Sequence, residues 1–189
     1  GQEVTGQSPM SLARRGLIRT FQTSSEFPRL TVIENLLVAA QHNPGESLRG
    51  ALLGGRRSWR AHERQLVARA RELMAGFEMS DKEDEWAGNL SGGQKRLLEI
   101  MRGLMAEPKL LLLDEPMAGV NPTLARTIEA HLQRLGRDGL TMLMVEHELG
   151  VVERLCDRVV VMAQGKVISE GTMDTLRTEQ EVLDAYLVG

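Results

Sequence analysis

The run Leu110-Leu111-Leu112-Leu113, followed at once by Asp114-Glu115-Pro116, constrains this chain more than any other feature. Four consecutive apolar residues have the length and texture of a strand buried on both faces. A helical pattern follows over Pro122 to Leu135, closed by Gly136. Leu140 to Val145 reads as a second buried strand, ending at Glu146-His147. After a short helix near 149–155, Val159 to Met162 is a third strand, and Gly165 turns into a fourth at Lys166 to Ser169. Two short helices close the chain. Apolar strands alternating with helices predict a parallel sheet covered on both faces, so residues 107–189 read as an α/β core.

The preceding stretch has a different texture. Residues 9–15 form a short helix leading into Gly16 and a strand at Leu17 to Phe21, so residues 1–27 read as a remnant of the same core. Residues 28–106 read as all-helical. Thr31 with Glu34 three positions on predicts a capping box opening a helix over Val32 to Ala40. His42 to Ser58 is a connector with a short helix at Leu48 to Leu53. Residues 60–78 carry Leu66, Val67, Ala70, Leu73, Met74 and Phe77 on one stripe, and residues 80–88 form an acidic connector. Ser91-Gly92-Gly93 then opens a helix with Leu97, Leu98, Met101, Leu104 and Met105 apolar, ending before Pro108.

Composition removes several function classes. With 23 Lys+Arg against 26 Asp+Glu the net charge is -3, which excludes a strongly basic nucleic-acid binder. Two Trp, one Tyr and three Phe are too few for a base-stacking platform, so no nucleic-acid partner is expected. Apolar residues make up 42% of the chain, enough for a sizeable core. The single cysteine, Cys156, fits a reducing compartment. No apolar run approaches the ~18 residues of a membrane-spanning helix, so a membrane role requires a partner.

Four places carry chemistry. Asp114 and Glu115 stand at a strand's carboxyl end, where open α/β sheets bind ligands. One carboxylate there suits a divalent metal and the other a proton taken from an attacking water, although a strand ending in a polar turn has the same pattern. Leu90-Ser91-Gly92-Gly93-Gln94 offers the N–H groups of a helix's first turn to an anion, or is an ordinary cap. His147 follows a strand; it can be structural, or it can meet a phosphate or water if its strand neighbours that of Asp114. Gln22 follows another strand, and its amide oxygen could ligate a metal or simply sit in a loop.

Taken together these residues resemble the ATP-binding-cassette ATPases. Leu90 to Gln94 matches the signature motif, Leu110 to Asp114 the Walker B strand, Glu115 the catalytic glutamate, His147 the switch histidine and Gln22 the Q-loop glutamine. Arg19-Thr20-Phe21-Gln22, Glu34-Asn35-Leu36-Leu37, Arg96-Leu97-Leu98-Glu99-Ile100 and Ala118-Gly119-Val120-Asn121-Pro122 are similar to the ATPases of branched-chain amino acid importers. The resemblance implies a P-loop NTPase-type core with an inserted helical subdomain. It implies two subunits sandwiching two ATP molecules, and permease subunits docking near the Q-loop at the inner face of the cell membrane. Gln22 and Asp114 would then position Mg²⁺, Glu115 polarise water, and His147 hold the γ-phosphate end. Ser91, Gly92, Gly93 and Gln94 would reach the partner's ATP, and Asn121 stands where many members carry Asp. A non-transport ABC ATPase and a catalytically dead binding module are the alternatives.

The phosphate-cradling G-x-x-x-x-G-K-[ST] loop is absent: of Lys82, Lys95, Lys109 and Lys166, none lies between Gly and Ser or Thr. The expectation is therefore an N-terminally shortened chain with impaired nucleotide binding. Its uncovered apolar edges predict aggregation, swapping or rearrangement.

Overall fold

The computed structural model describes residues 3–20, 26–40 and 56–187, without the side chains of 56–59 and 185–187. Phe21, Gln22, residues 42–55 of the expected connector and the expected helix at Leu48 to Leu53 lie outside the described residues, and residues 56–58 of that connector are already helical. The chain divides into two compact units, Gly1–Val145 and Glu146–Gly189.

In the first unit, α1 (Pro9–Arg14) leads into β1 (Leu17–Arg19). Three parallel strands lie in the order β1, β2 (Leu110–Asp114), β3 (Thr141–Val145). Leu17 pairs with Leu110, and Asp114 pairs with Val145. The central strand buries Leu111 and Leu113 on one face, while Leu110 and Leu112 on the other are only partly covered, so the run is not buried on both faces as expected. On β3, however, Leu143 and Val145 are 58% and 57% exposed, so this strand is not the buried one expected. It is the last strand of the sheet, and among the described residues its outer face is uncovered.

The helices stack on the other face. α2 (Val32–Ala39) opens with the predicted capping box: Thr31 Oγ1 accepts from the Glu34 amide at 3.3 Å, and the Thr31 amide donates to Glu34 Oε2 at 2.8 Å. α3 (Arg56–Gly76) buries Ala70 and Met74, with Phe77 just beyond it, along its apolar stripe. α4 (Gly92–Met105) is enclosed on two sides, by α2 and α3 on one and by the strands on the other, so Leu97, Leu98, Ile100 and Met101 are all buried. Its approach to the sheet is close at Gly103, where a Cβ would stand 3.3 Å from Leu111 Cδ1. α5 (Pro122–Arg137) outruns its expected end: Gly136 is helical, and the left-handed glycine past the end is Gly139 at φ +96°.

The second unit holds α6 (Leu149–Leu155), the hairpin β4 (Val159–Ala163) and β5 (Lys166–Gly171), then α7 (Met173–Leu176) and α8 (Gln180–Leu187). β4 does not extend the parallel sheet, as the alternation implied. It pairs antiparallel with β5 through a two-residue turn. Gln164 and Gly165 both have positive φ, +48° and +76°, as a type I′ hairpin turn requires. A two-residue turn brings the chain straight back, so β4 takes its nearest neighbour in sequence. Val161, Leu176 and Val182 form this unit's core.

Candidate functional site

Asp114 is the last residue of the central strand, and its carboxylate is three-quarters buried. Arg19, at the end of β1, donates from Nη2 to Asp114 Oδ2 at 3.1 Å. Thr20, next along, is buried; its amide donates to the Leu112 carbonyl at 2.9 Å and its hydroxyl accepts from the Asp114 amide at 3.4 Å. Asp114 is thereby oriented from β1 on one side and from β3 on the other.

Glu115 leaves the strand through a left-handed turn at φ +43°. A side-chain-bearing residue resists that conformation by roughly 1–2 kcal/mol, so neighbours must impose it. The Glu115 amide donates to the Val145 carbonyl at 2.9 Å. From the opposite direction comes Arg96, one turn into α4. Its Nη2 donates to the carbonyls of Asp114 and Glu115, and its Nε to that of Pro116 at 3.3 Å. Arg96 is only 5% exposed, and its charge is matched by equally buried Glu99 through an Nη1–Oε2 contact of 2.7 Å. A buried charge is tolerable when paired and hydrogen-bonded in this way. Sequence reasoning quoted Arg96 and Glu99 only as part of a family pattern. The usable signal was two opposite charges three residues apart, with apolar residues between and after them (Leu97, Leu98, Ile100, Met101) on the same helix.

The glycine-rich segment opens α4 as expected. Ser91 is the N-cap, its Oγ accepting from the Gln94 amide at 3.3 Å while the Ser91 amide donates to Gln94 Oε1 at 2.9 Å. Gly92 and Gly93 supply first-turn N–H groups, which have no acceptor within a helix. A Cβ on Gly92 would meet nothing within 4 Å. Lys95 pairs with Glu26 at 2.7 Å, just before α2. Burial pushes the Glu26 carboxyl up, but the Lys95 hydrogen bond and the charges of Lys95 and Arg102 outweigh it and hold the group below its ordinary range. Asn121 caps α5, its Oδ1 accepting from the Leu124 amide at 3.0 Å.

His147 belongs to the second unit. Its side chain is 76% exposed, while the neighbouring Glu146 carboxylate is buried, with Oε2 3.9 Å from His147 Nδ1. Gln22 lies outside the described residues. Thus Asp114, Glu115 and the α4 start are brought together within one unit through Arg96.

Among the described residues no cluster of three or more His, Cys, Asp or Glu side chains could cage a metal by itself. Mg²⁺ carried on a nucleotide takes one or two carboxylates and completes its shell with phosphate oxygens and water. Asp114, three-quarters buried and facing a cation in Arg19, offers one such carboxylate.

The fold is thus an α/β sheet with carboxylates at the carboxyl end of its central strand, the end at which such sheets bind ligands, and a glycine-started helix braced against it. The chain belongs to the ABC transporter family: the family model of that description matches residues 1–118. It is 36% identical over 187 residues to the probable branched-chain amino acid transport ATP-binding protein LivG of Archaeoglobus fulgidus, covering 99% of this chain and 71% of that protein. The LivG of Methanocaldococcus jannaschii is 39% identical over 96% of this chain and 67% of its own length. The high-affinity branched-chain amino acid transport ATP-binding protein BraF of Pseudomonas aeruginosa is 34% identical, over 99% and 73%. Among solved structures, the ADP conformation of MJ1267, an ATP-binding cassette of an ABC transporter, superposes with a TM-score of 0.79 at 36% identity, over 100% of this chain and 75% of that one. A nucleotide-free ATP-binding cassette gives 0.77 at 36% identity, over 98% and 74%. The mixed α/β cassette fold is therefore established.

Proposed function

We propose that this chain is the ATP-hydrolysing component of an importer for branched-chain or other hydrophobic amino acids. The relatives' names support the solute class. One observation carries the chemistry: Asp114 ends the central strand, and Glu115 is turned out of it by a backbone held from both sides. In this reading Asp114, with Gln22, holds the Mg²⁺ that neutralises phosphate charge. Glu115 accepts the proton of the attacking water. His147 steadies the γ-phosphate end. Ser91, Gly92, Gly93 and Gln94 present first-turn donors to ATP on a second ATPase subunit, and Asn121 shapes the loop beside it.

The division of labour follows the sequence: residues 1–27 and 107–189 form the ATPase core, and residues 28–106 the helical subdomain that meets the permease subunits. Among the described residues no helix is long and apolar enough to cross a membrane. The protein would therefore be held at the inner face of the membrane by its permease. Because the sequence holds no G-x-x-x-x-G-K-[ST] loop, the 189-residue chain by itself binds MgATP weakly. A binding module without catalysis is the second reading, and it applies only to a gene product that itself lacks this loop.

The test is MgATP turnover by the importer assembled in proteoliposomes from the full-length subunit with leucine supplied, comparing that parent with its Glu115→Gln variant. Turnover that Glu115→Gln reduces by about a hundredfold or more, with nucleotide still bound, is the expected result. No turnover by the parent favours the binding module; equal turnover removes Glu115 from its role. Calorimetry on the 189-residue chain should show no micromolar affinity for MgATP.

A further inference from the structure

We infer that Arg96 is a positioning residue for Glu115. This rests on the functional reading above for its consequence in catalysis, but the contact itself does not. Three consecutive carbonyls, those of Asp114, Glu115 and Pro116, converge on one guanidinium. They can converge only if the chain turns sharply between the first and the third, and the left-handed φ of +43° at Glu115 is that turn. The planar fork of arginine supplies several donors at fixed angles, which a lysine ammonium on a flexible stem does not. Glu99 makes the arrangement tolerable by neutralising the guanidinium inside the protein. Asp114's side chain, by contrast, is held from Arg19 and its amide from Thr20, so Arg96 bears chiefly on the residue that follows. Arg96 also lies five positions after Ser91 on one rigid helix. The start of α4 and the backbone at Glu115 are thereby joined within one chain, and a displacement of one is felt by the other.

The experiment uses amide hydrogen exchange, read by mass spectrometry, on the 189-residue chain and two variants. Arg96→Lys keeps a charge beside Glu99 but cannot span three carbonyls. The double variant Arg96→Met with Glu99→Leu removes both charges together, leaving no unpaired buried carboxylate to oppose folding. The Glu115 amide, bonded to Val145, and the Ala118 amide, bonded to the Glu115 carbonyl, report on the turn. Both variants should speed their exchange by about tenfold or more while the interior amides of α4 stay protected. In the assembled importer, Arg96→Lys should lower kcat about tenfold and leave KM for MgATP within about twofold, because the turn and not nucleotide contact is disturbed. Unchanged exchange at both amides in both variants overturns the clamp. Faster exchange with unchanged kcat overturns its part in catalysis. If the parent importer hydrolyses no ATP, the functional reading fails and the exchange result alone decides the clamp.

Discussion

Gly93 and Leu124 meet so closely that a Cβ on Gly93 would stand 2.6 Å from Leu124 Cδ2. The second glycine of the signature segment is thus set against the first turn of α5 within the same chain. Gly92, one residue earlier, has open space around it. The glycine pair therefore answers two needs, packing at Gly93 and backbone access at Gly92. Gly93→Ala should destabilise the chain by about 1–2 kcal/mol, since the obstructing atom is the end of a side chain that can give way in part. Adding Leu124→Ala should recover about 1 kcal/mol through relief of the clash. A urea-unfolding double-mutant cycle measures this, and strictly additive effects would rule the contact out as the cause.

Asn35 is fully buried and ties the segment before α2 together. Its Oδ1 accepts from the Phe27 amide at 2.9 Å, and its Nδ2 donates to the carbonyls of Phe27, Leu30 and Thr31. Those three carbonyls also receive backbone N–H groups from Leu30, Ala87 and Asn35 respectively. Asn35→Ala therefore leaves mainly the Phe27 amide without its partner, and should cost about 2–3 kcal/mol. A midpoint in urea close to the parent's would show that the loop re-forms its bonds elsewhere.

His131 stacks on Phe77 with ring centroids 4.3 Å apart. Burial first, and then the charge of Arg134, hold its pKa below the ordinary histidine value, with Glu78 opposing. The unfolded chain then takes up this proton at a higher pH than the folded one. The stability linked to neutral His131 is present above about pH 6.5 and is lost as pH falls through the lowered folded value. Stability measured at pH 7.5 and pH 5 should drop more for the parent than for His131→Phe, which keeps an aromatic partner for Phe77. Parallel pH curves would count against this linkage.

The proposed nucleotide site has its own expected pattern of loss. Asp114→Ala should remove the carboxylate proposed to take Mg²⁺ and also leave Arg19 without that ion pair. Because Arg19 is largely exposed, its surface pair contributes little to stability. The variant should fold with a stability within about 1 kcal/mol of the parent and lose ATP turnover in the assembled importer by about a hundredfold or more. Retained turnover would remove Asp114 from the metal site; a collapse in stability would mean its role is structural.

Much of this was legible in the residues because it is decided over one turn of chain. The Thr31–Glu34 and Ser91–Gln94 boxes close between residues three apart, so their spacing alone predicts them. The four leucines ending in Asp114-Glu115 announce a buried strand with carboxylates at its rim, and β2 is that strand. The end of α5 was misplaced because Gly136 and Gly139 are both plausible stops, and only the backbone shows which one turns left-handed. β4 was read as part of the parallel sheet because an apolar run carries no record of its partner; the two-residue turn at Gln164-Gly165 chose β5.

By itself the sequence determined where α2 and α4 start and that Leu110 to Asp114 is a strand ending in carboxylates, since these follow from local periodicity and capping. Only the tertiary structure decided that Arg96 reaches three carbonyls 18 to 20 residues ahead of it, and that Arg19 meets Asp114 across 95 residues. Such contacts have no period and no fixed spacing. They exist because close packing of α4 on the sheet leaves a buried guanidinium no acceptors but the backbone and carboxylate groups it finds there.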